Sequence, residues 1–131
     1  MDVRILGPIE AHVDGEVLPL GGLRERALLA LLALSPGQTI STDRLIDELW
    51  GEDLPANPSN ALQASVSRLR RAIGSDTVVT RAPGYFLDVA PEAVDAARFR
   101  ALVDAAGGET DPAVRSRLFG EALSLWRGLA F

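Results

Sequence analysis

One segment of the chain has an apolar stripe at helical spacing and arginines on the other side. In residues 59–74, SNALQASVSRLRRAIG, the apolar residues follow one another at intervals of four, three and four positions: Leu62, Val66, Leu69 and Ile73. This spacing brings four side chains onto one face of an α-helix, and that face must pack against a core. Gly74 is a typical residue for ending such a helix. We therefore predict a helix from about Ser59 to Ile73.

The opposite face of this helix has the residue types that allow a helix to enter the major groove of DNA. It contains no carboxylate, and its members are Asn60, Gln63, Ala64, Ser67, Arg68, Arg70 and Arg71. Small residues let a helix approach the base edges, amides pair with adenine, and guanidinium groups pair with guanine or bond phosphates. A basic helix face on its own is more often simply exposed to solvent than bound to DNA. The neighbouring elements are therefore needed to choose between these two interpretations.

Charge is distributed unevenly along the chain, whose formal net charge is −5. Residues 1–58 have four arginines and ten carboxylates, a net charge of −6, whereas residues 59–84 have four arginines and one carboxylate, a net charge of +3. Residues 85–131, with five arginines and seven carboxylates, have a net charge of −2. The basic segment can bind an anion even though the whole molecule is acidic.

Turn signals predict the elements that precede this helix. Gly7-Pro8 and Asp14-Gly15 interrupt short apolar runs, which favours antiparallel strands near 3–6, 9–13 and 16–20. A first helix follows in LRERALLALLALSPG, and we expect its buried stripe to comprise Leu23, Ala27, Leu31 and Leu34, widened by Leu28 and Leu32. QTI favours a short strand. A second helix in STDRLIDELWG has Ser41 or Thr42 as N-cap, Gly51 at its end and Leu45, Ile46, Leu49 and Trp50 on its buried face.

The elements after the third helix complete the predicted fold. TVVTRAPGYFLDV favours a β-hairpin around Ala82-Pro83-Gly84, with Arg81 in a position to reach a minor groove. DAARFRALVDAAGG and DPAVRSRLFGEALSLWRG favour a helical hairpin, with Asp111 as N-cap of its second helix. A sheet, three helices and a hairpin wing are the layout of a winged helix, so the predicted class is α+β.

These motifs resemble the Streptomyces antibiotic regulatory protein (SARP) family over essentially the whole chain. The resemblance rests on RILGPIEAHVDG, RERALLALLAL, LIDELWGEDLPANPSNALQASVSRLRRAIG and TRAPGYFLDV. RFRALV and EALSLWRG resemble the first helices of a bacterial transcriptional activation domain. The resemblance implies an OmpR-type winged-helix DNA-binding domain at 1–90. At 91–131 it implies the first part of an all-α activation domain, which we expect to be truncated after two helices.

The resemblance also implies roles for individual residues. Helix 59–73 becomes the recognition helix, with Asn60, Gln63, Ala64, Ser67 and Arg68 towards bases or the nearby backbone and Arg70 and Arg71 towards phosphates. The wing positions are Thr80, Arg81 and Tyr85, and the basic positions at the start of the first helix are Arg24 and Arg26. The acidic loop EDLPANP, with Glu52, Asp53 and Leu54, matches the loop that faces RNA polymerase in OmpR-type activators.

The function that follows is a transcriptional activator that binds double-stranded DNA at direct repeats upstream of promoters. The family implies antibiotic or other secondary-metabolite genes as targets, a side-by-side dimer on DNA and recruitment of the RNA polymerase holoenzyme. No receiver domain is expected before the winged helix. The alternative is a protein-interaction module that uses the arginine face to hold an acidic partner, and loss of DNA binding in a gel-shift assay with partner binding intact would favour it.

Other classes of function lack their required residues. The chain has no cysteine, which excludes a disulfide framework and thiolate chemistry and fits a reducing cytoplasm. No apolar run of about 18 residues that could span a membrane is present. His12, the single histidine, lies in a predicted strand, and no catalytic triad, phosphate loop or metal-ligand spacing accompanies it. We expect neither an enzyme nor a cofactor or metal site.

Overall fold

A computed structural model describes residues 1–125 and contains the elements of a winged helix followed by a helical hairpin. The strands are β1 (Asp2–Arg4), β2 (Glu10–Val13), β3 (Glu16–Val17), β4 (Ile40–Ser41), β5 (Val78–Arg81) and β6 (Gly84–Leu87). The helices are α1 (Leu23–Ala33), α2 (Thr42–Trp50), α3 (Pro58–Ile73), α4 (Asp95–Gly107) and α5 (Pro112–Ser124), with a short 3₁₀ helix at Pro91–Ala93. The predicted α+β class and element order are confirmed.

The strands form two separate antiparallel sheets. β1, β2 and β3 are neighbours in chain order, and the turn between β2 and β3 is Asp14-Gly15 as predicted, with φ angles of 52° and 82°. Positive φ at both central residues is what this turn requires. The second sheet has the order β4-β6-β5, so the short strand at Ile40 belongs to the sheet of the wing.

Close approach of β4 to β6 depends on the glycine at position 84. Gly84 lies opposite Ser41, and a Cβ atom on Gly84 would overlap the carbonyl oxygen of Ile40. The amide of Thr42 also donates to the carbonyl of Pro83 over 3.1 Å. The base of the wing is therefore joined directly to the start of α2.

One apolar core connects the first sheet, the first three helices and the wing. The largest fully buried apolar side chains of the core are Val3, Leu28, Leu29, Leu32, Leu45, Leu62, Val66, Leu69, Val78, Leu87 and Val94. The stripe predicted for α3 is confirmed, because all four of its apolar residues are buried. Since most elements of the winged helix contribute to this core, it fixes how α3 and the wing lie relative to each other.

The stripe predicted for α1 is wrong, although Leu28 and Leu32, which were expected to widen it, are fully buried. The stripe expected to face the core included Leu23 and Leu34, which are 86% and 65% exposed. The residues that α1 buries instead are Glu25, Leu28, Leu29, Leu32 and Ala33. Apolar residues lie on nearly every side of this helix, so their spacing does not select a face, and packing against α3 and β6 selects it instead.

Local signals at the ends of α2 agree with the prediction. The hydroxyl of Ser41 accepts a hydrogen bond from the amide of Arg44 at 3.1 Å, and Gly51 ends the helix with a φ of 58°. Of the predicted buried face only Leu45 is fully buried, and Trp50 lies half-buried at the edge of the core. α2 is therefore a helix on the edge of the domain whose other side faces solvent.

A buried carboxylate attaches the helical hairpin to the first sheet. Asp95, the first residue of α4, is fully buried, and its two oxygens accept hydrogen bonds from the amides of Ile5 and Leu6 at 2.7 and 3.0 Å. Val94, just before it, pairs with Val3 of β1 in a parallel bridge. The start of α4 thus satisfies backbone donors that β1 and its following loop would otherwise leave unpaired.

A more exposed ion pair lies beside this junction. Arg98 of α4 donates to Asp2 at 3.1 Å, and Arg4 donates to the other oxygen of Asp2 at 3.4 Å. Partial burial by itself raises the pKa of Asp2, but the hydrogen bonds and charges of Arg98 and then Arg4 outweigh it, so the pKa falls below its ordinary value of 3.8.

In the part of the chain that the structure describes, the fully buried side chains of the helical hairpin are the carboxylate of Asp95 and two alanines. Asp111 caps α5 by accepting from the amide of Ala113 at 3.0 Å, as predicted. Within the hairpin Ala106 and Ala122 are buried, whereas Leu123 is 66% exposed. Trp126, for which the helical apolar stripe of the last segment predicts a core position, lies outside the described residues. Within residues 1–125, no helix combines the length and apolarity that crossing a membrane would require.

Candidate nucleic-acid interface

The position of α3 is fixed by caps at both ends. The side chain of Asn57 accepts from the amide of Asn60 at 3.1 Å, and Pro58 occupies the first turn, where its missing N–H costs nothing. Gly74, with a φ of 104°, ends the helix and donates to the carbonyl of Arg70. The helix therefore begins one residue earlier than predicted and ends where predicted.

The solvent face of α3 presents polar side chains that the fold does not use. Five of its predicted DNA-facing residues are exposed and have no side-chain hydrogen bond or ion pair within residues 1–125: Asn60, Gln63, Ala64, Ser67 and Arg71. The helix has no acidic residue along its whole length. Two amides, a hydroxyl and a guanidinium group are thus available on one face, with a small residue between them.

Arg70, which is predicted to contact a phosphate, bonds the wing in this structure, and its phosphate contact stays a prediction. Its Nε donates to the carbonyl of Val78 at 2.9 Å, and its Nη2 donates to the hydroxyl of Thr80 at 2.8 Å. Its guanidinium carbon also lies 5.8 Å from the ring centre of Tyr85. Arg70 therefore connects α3 to both strands of the wing, and the hydroxyl of Thr80 accepts one of its hydrogen bonds. Both residues also border the exposed surface.

The wing presents one arginine and buries its aromatic residues. Arg81, next to the turn, is exposed, and its guanidinium carbon lies 4.1 Å above the ring of Phe86. Such stacking holds a cation in place while leaving its N–H groups outward. Tyr85 is only 9% exposed, so its ring supports the wing from inside, and its predicted contact with DNA stays a prediction.

Arg68, at the edge of the α3 face, is tied to the first turn of α1. Its Nε donates to the Oε1 of Glu25 at 2.9 Å, and its Nη2 lies 3.5 Å from the hydroxyl of Ser65. The side chain of Glu25 is 8% exposed, whereas that of Arg68 is 49% exposed. The guanidinium group therefore has one edge against a buried acceptor and the other edge towards solvent.

The two arginines at the start of α1 lie apart from this contact. The guanidinium carbon of Arg24 is 4.5 Å from the ring centre of Trp50, at the contact between α1 and α2. Arg26 is exposed, and its Nε lies 3.4 Å from the carbonyl of Gly21. Their predicted proximity to the DNA backbone stays a prediction.

The loop between α2 and α3 is acidic and exposed. Glu52, Asp53 and Leu54 all have exposed side chains, and the amide of Asp53 donates to the carbonyl of Trp50 at 3.0 Å. Exposed carboxylates of α2, among them Asp47 and Glu48, extend the same negative surface. Negative charge therefore lies at the N-terminal side of α3 and would be repelled by DNA phosphates.

Glu25 also belongs to this site, although it was not predicted from the sequence. A signal existed, because Glu25 lies three and four positions before Leu28 and Leu29 and seven before Leu32, on the buried side of α1. A carboxylate on the core side of a helix must find a cation or hydrogen-bond donors. The expectation of a different buried stripe for α1 concealed this relation.

The model of a protein family described as transcriptional regulatory protein, C terminal, matches residues 16–87, which run from β3 to the end of the wing. The regulatory protein AfsR of Streptomyces coelicolor is 38% identical over 95% of this chain, and DnrI of Streptomyces peucetius is 34% identical over 98%. The chain belongs to the SARP family of transcriptional regulators. Membership agrees with the expectation of a regulator rather than an enzyme.

A solved structure resembles this SARP chain beyond the winged helix. Mycobacterium tuberculosis EmbR in complex with a low-affinity phosphopeptide superposes with a TM-score of 0.86, at 31% identity, over 97% of this chain. The likeness therefore includes the helical hairpin. The chain spans 13% of the length of AfsR from Streptomyces coelicolor, 52% of DnrI and 36% of the EmbR chain.

No second kind of site emerges in the described part of this SARP chain. Residues 1–125 contain no group of three histidine, cysteine or acidic side chains that could hold a metal ion. The Nε2 of His12 lies 3.1 Å from the Oε1 of Glu10, its neighbour on β2, which gives the histidine a structural contact. The solvent face of α3 with the adjoining wing is thus the candidate site for the family's function.

Proposed function

We propose that this chain is a sequence-specific activator that binds duplex DNA by placing α3 in the major groove and the β5–β6 wing at the adjacent minor groove. The observation that carries the proposal is the α3 face itself. Its exposed amides, hydroxyl and guanidinium group have no side-chain partners within residues 1–125, and the helix has no carboxylate to repel phosphates. Unused donors and acceptors beside a small residue suit the reading of base edges.

Each residue of the interface has a proposed role. Asn60, Gln63 and Arg68 contact base edges, Ala64 and Ser67 allow close approach, and Arg71 contacts a phosphate. Arg70 and Thr80 hold the wing against α3 and border the phosphates. Arg81, held over Phe86, reaches the minor groove or its phosphates. Arg24 and Arg26 add positive charge near the backbone.

We further propose how the bound chain acts on transcription. Two copies bind side by side on direct repeats upstream of a promoter, and the genes controlled belong to secondary metabolism. Glu52, Asp53 and Leu54 form an exposed acidic loop that contacts the RNA polymerase holoenzyme. Residues 1–90 act as the DNA-binding domain, and residues 91–131 are the first part of a helical activation domain.

DNA recognition is tested with duplexes enriched from a random-sequence library on the purified chain. The enriched site is prepared as two direct repeats, as one copy and as a scrambled sequence of equal length. At moderate salt we expect the direct repeats to bind at least about a hundredfold more tightly than the scrambled duplex. Footprinting should then show protection of both repeats. Equal affinity for the repeats and the scrambled duplex would remove the claim of sequence-specific binding.

The roles of individual arginines are separated by two substitutions and one control. Arg68→Ala should cost about 1–3 kcal/mol of specific binding and relax base preference, because it removes a base contact. Arg71→Ala should weaken binding to all sequences alike. It should also make the plot of log affinity against log salt concentration less steep by about one. Arg117→Ala, on the exposed side of α5, is the control and should change neither quantity. Unchanged DNA binding in both site variants would contradict the assignment of α3.

The activation step is tested separately. Replacing Glu52 and Asp53 together by alanine should leave DNA affinity intact and reduce transcription from a reconstituted promoter. If the protein instead binds no duplex but retains an acidic protein partner through the arginine face, the chain is an interaction module and the proposed function is wrong.

A further inference from the structure

Glu25 and Arg68 form an ion pair across the contact between α1 and α3, and its two members differ in exposure. The carboxylate is nearly buried in the first turn of α1, and the guanidinium group is half-exposed on the candidate interface. The 2.9 Å contact uses the Nε of Arg68. A carboxylate so deeply buried is costly unless it is paired, so the contact persists in the folded protein.

The geometry leaves a defined part of Arg68 available. The Nε–H points to Glu25, and one N–H of Nη2 points towards the buried hydroxyl of Ser65. A guanidinium group has five N–H donors in a rigid plane, so within residues 1–125 both donors of Nη1 and one of Nη2 remain for an external acceptor. The side chain is thereby held in one orientation before any ligand arrives.

Electrostatics at this contact differ from those of the neighbouring Arg71. Arg71 is exposed without an ion pair within the described residues, so its full charge attracts any phosphate. The charge of Arg68 is largely balanced by Glu25, whose own charge is favoured by the N-terminal end of α1. Arg68 therefore offers directed donors with little general attraction for DNA.

We propose that Glu25 is a positioning residue for DNA recognition, which orients Arg68 and balances its charge so that Arg68 contributes to sequence selectivity rather than to general affinity. This inference rests on the proposed function. Glu25 itself does not touch DNA in this scheme, because its carboxylate is buried beneath the arginine.

The test compares Glu25→Gln with the unaltered chain on two probes, the enriched direct-repeat duplex and a random-sequence duplex of equal length. Glutamine keeps the size and one acceptor but removes the charge. We expect the ratio of specific to non-specific affinity to fall about tenfold. Non-specific affinity should rise a few-fold, and the salt slope should steepen by up to about one, because the released arginine can bind phosphates.

A double-mutant cycle with Arg68→Ala distinguishes positioning from a purely structural role. If Glu25 acts through Arg68, Glu25→Gln should have no further effect on selectivity in the Arg68→Ala background. An effect of equal size in both backgrounds would overturn the proposal, as would a selectivity ratio that stays within about twofold in the single variant. Glu121→Gln, an exposed residue of α5, is the matched control.

Arg68→Lys provides a test that does not depend on altering the buried carboxylate. Lysine keeps the charge but lacks the Nε–H that Glu25 orients, so selectivity should fall about tenfold while the salt slope stays unchanged. Retained selectivity in this variant would also overturn the proposal. Failure of the unaltered chain to prefer direct repeats would refute the proposed function, whereas normal selectivity of the chain and of both variants would refute the positioning role alone.

Discussion

The winged helix and the helical hairpin differ in what holds them in place. The winged helix has a continuous apolar core to which its sheet, helices and wing contribute. The hairpin buries Ala106 and Ala122, and it meets the first sheet through the buried carboxylate of Asp95, the bridge between Val94 and Val3 and the ion pair between Arg98 and Asp2. The winged helix is therefore positioned by many non-directional apolar contacts. The hairpin is oriented mainly by a few directional hydrogen bonds.

The largest expected effect comes from removing a leucine of the shared core. Leu69→Ala should reduce the free energy of unfolding by about 2–5 kcal/mol, because Leu69 is fully buried in the α3 stripe and leaves a cavity. Leu123→Ala on the hairpin should change it by no more than about 0.5 kcal/mol, since Leu123 is largely exposed. Urea unfolding measures both, and similar losses would mean that the two regions are equally packed.

The second largest loss of stability is expected where Asp95 joins the helical hairpin to the first sheet. Asp95→Ala removes the acceptor of two buried amides and should cost about 2–3 kcal/mol. Hydrogen exchange should become faster at Ile5 and Leu6 while the amides of α3 stay protected. Asp104→Ala, an exposed position on the same helix, is the control. If exchange accelerates in α3 as well, the winged helix depends on the hairpin and the contrast between the regions is lost.

Replacing a glycine by alanine should lower stability in the winged helix and raise it in the helical hairpin. Gly84→Ala places a Cβ atom against the carbonyl of Ile40 and should destabilise the protein by about 1–3 kcal/mol. Gly120→Ala lies inside α5 with open space around the new methyl group, so it should stabilise the helix by up to about 1 kcal/mol. Thermal unfolding of both variants checks the signs, and a stabilising effect at position 84 would contradict the close approach of β4 to β6.

The smallest effect is the pH dependence of the ion pair beside the junction. The pKa of Asp2 is lower in the folded chain than in the unfolded chain, so its contribution to stability is complete above pH 3.8 and disappears as the pH falls through the lower folded value. Because Asp2 is partly exposed, we expect its ion pair to contribute less than about 1 kcal/mol to the free energy of unfolding. Asp2→Asn should therefore lower stability near pH 6 and have little effect near pH 2 in urea titrations. An equal loss at both values would assign the effect to something other than charge.

Sequence patterns predicted those elements whose signals are local. The caps Ser41 and Asp111, the end of α3 at Gly74 and the α3 stripe depend on neighbours within one or two helical turns, and all are present in the structure. Each of these signals has a defined spacing that tertiary contacts do not need to override.

Features that depend on distant partners were not predictable in the same way. The stripe predicted for α1 was wrong because the apolar residues of this helix make several of its faces equally suitable for burial. The acceptors Glu25 and Asp95 bond residues 43 and 89 to 90 positions away, and nothing in their local sequence identifies those partners. The residue types of the candidate site were visible in the sequence, whereas the division between arginines held by the fold and those left available required coordinates.

That division has a consequence for how SARP proteins can diverge. Asn60, Gln63 and Ser67 are exposed and have no side-chain hydrogen bonds within the described residues, so substitutions there should cost the fold little. Changes at Arg70 would loosen the wing, because its guanidinium group bonds Val78 and Thr80. Under the proposed function, an ancestral chain could acquire a new operator through the first set of positions while inheriting the second set unchanged.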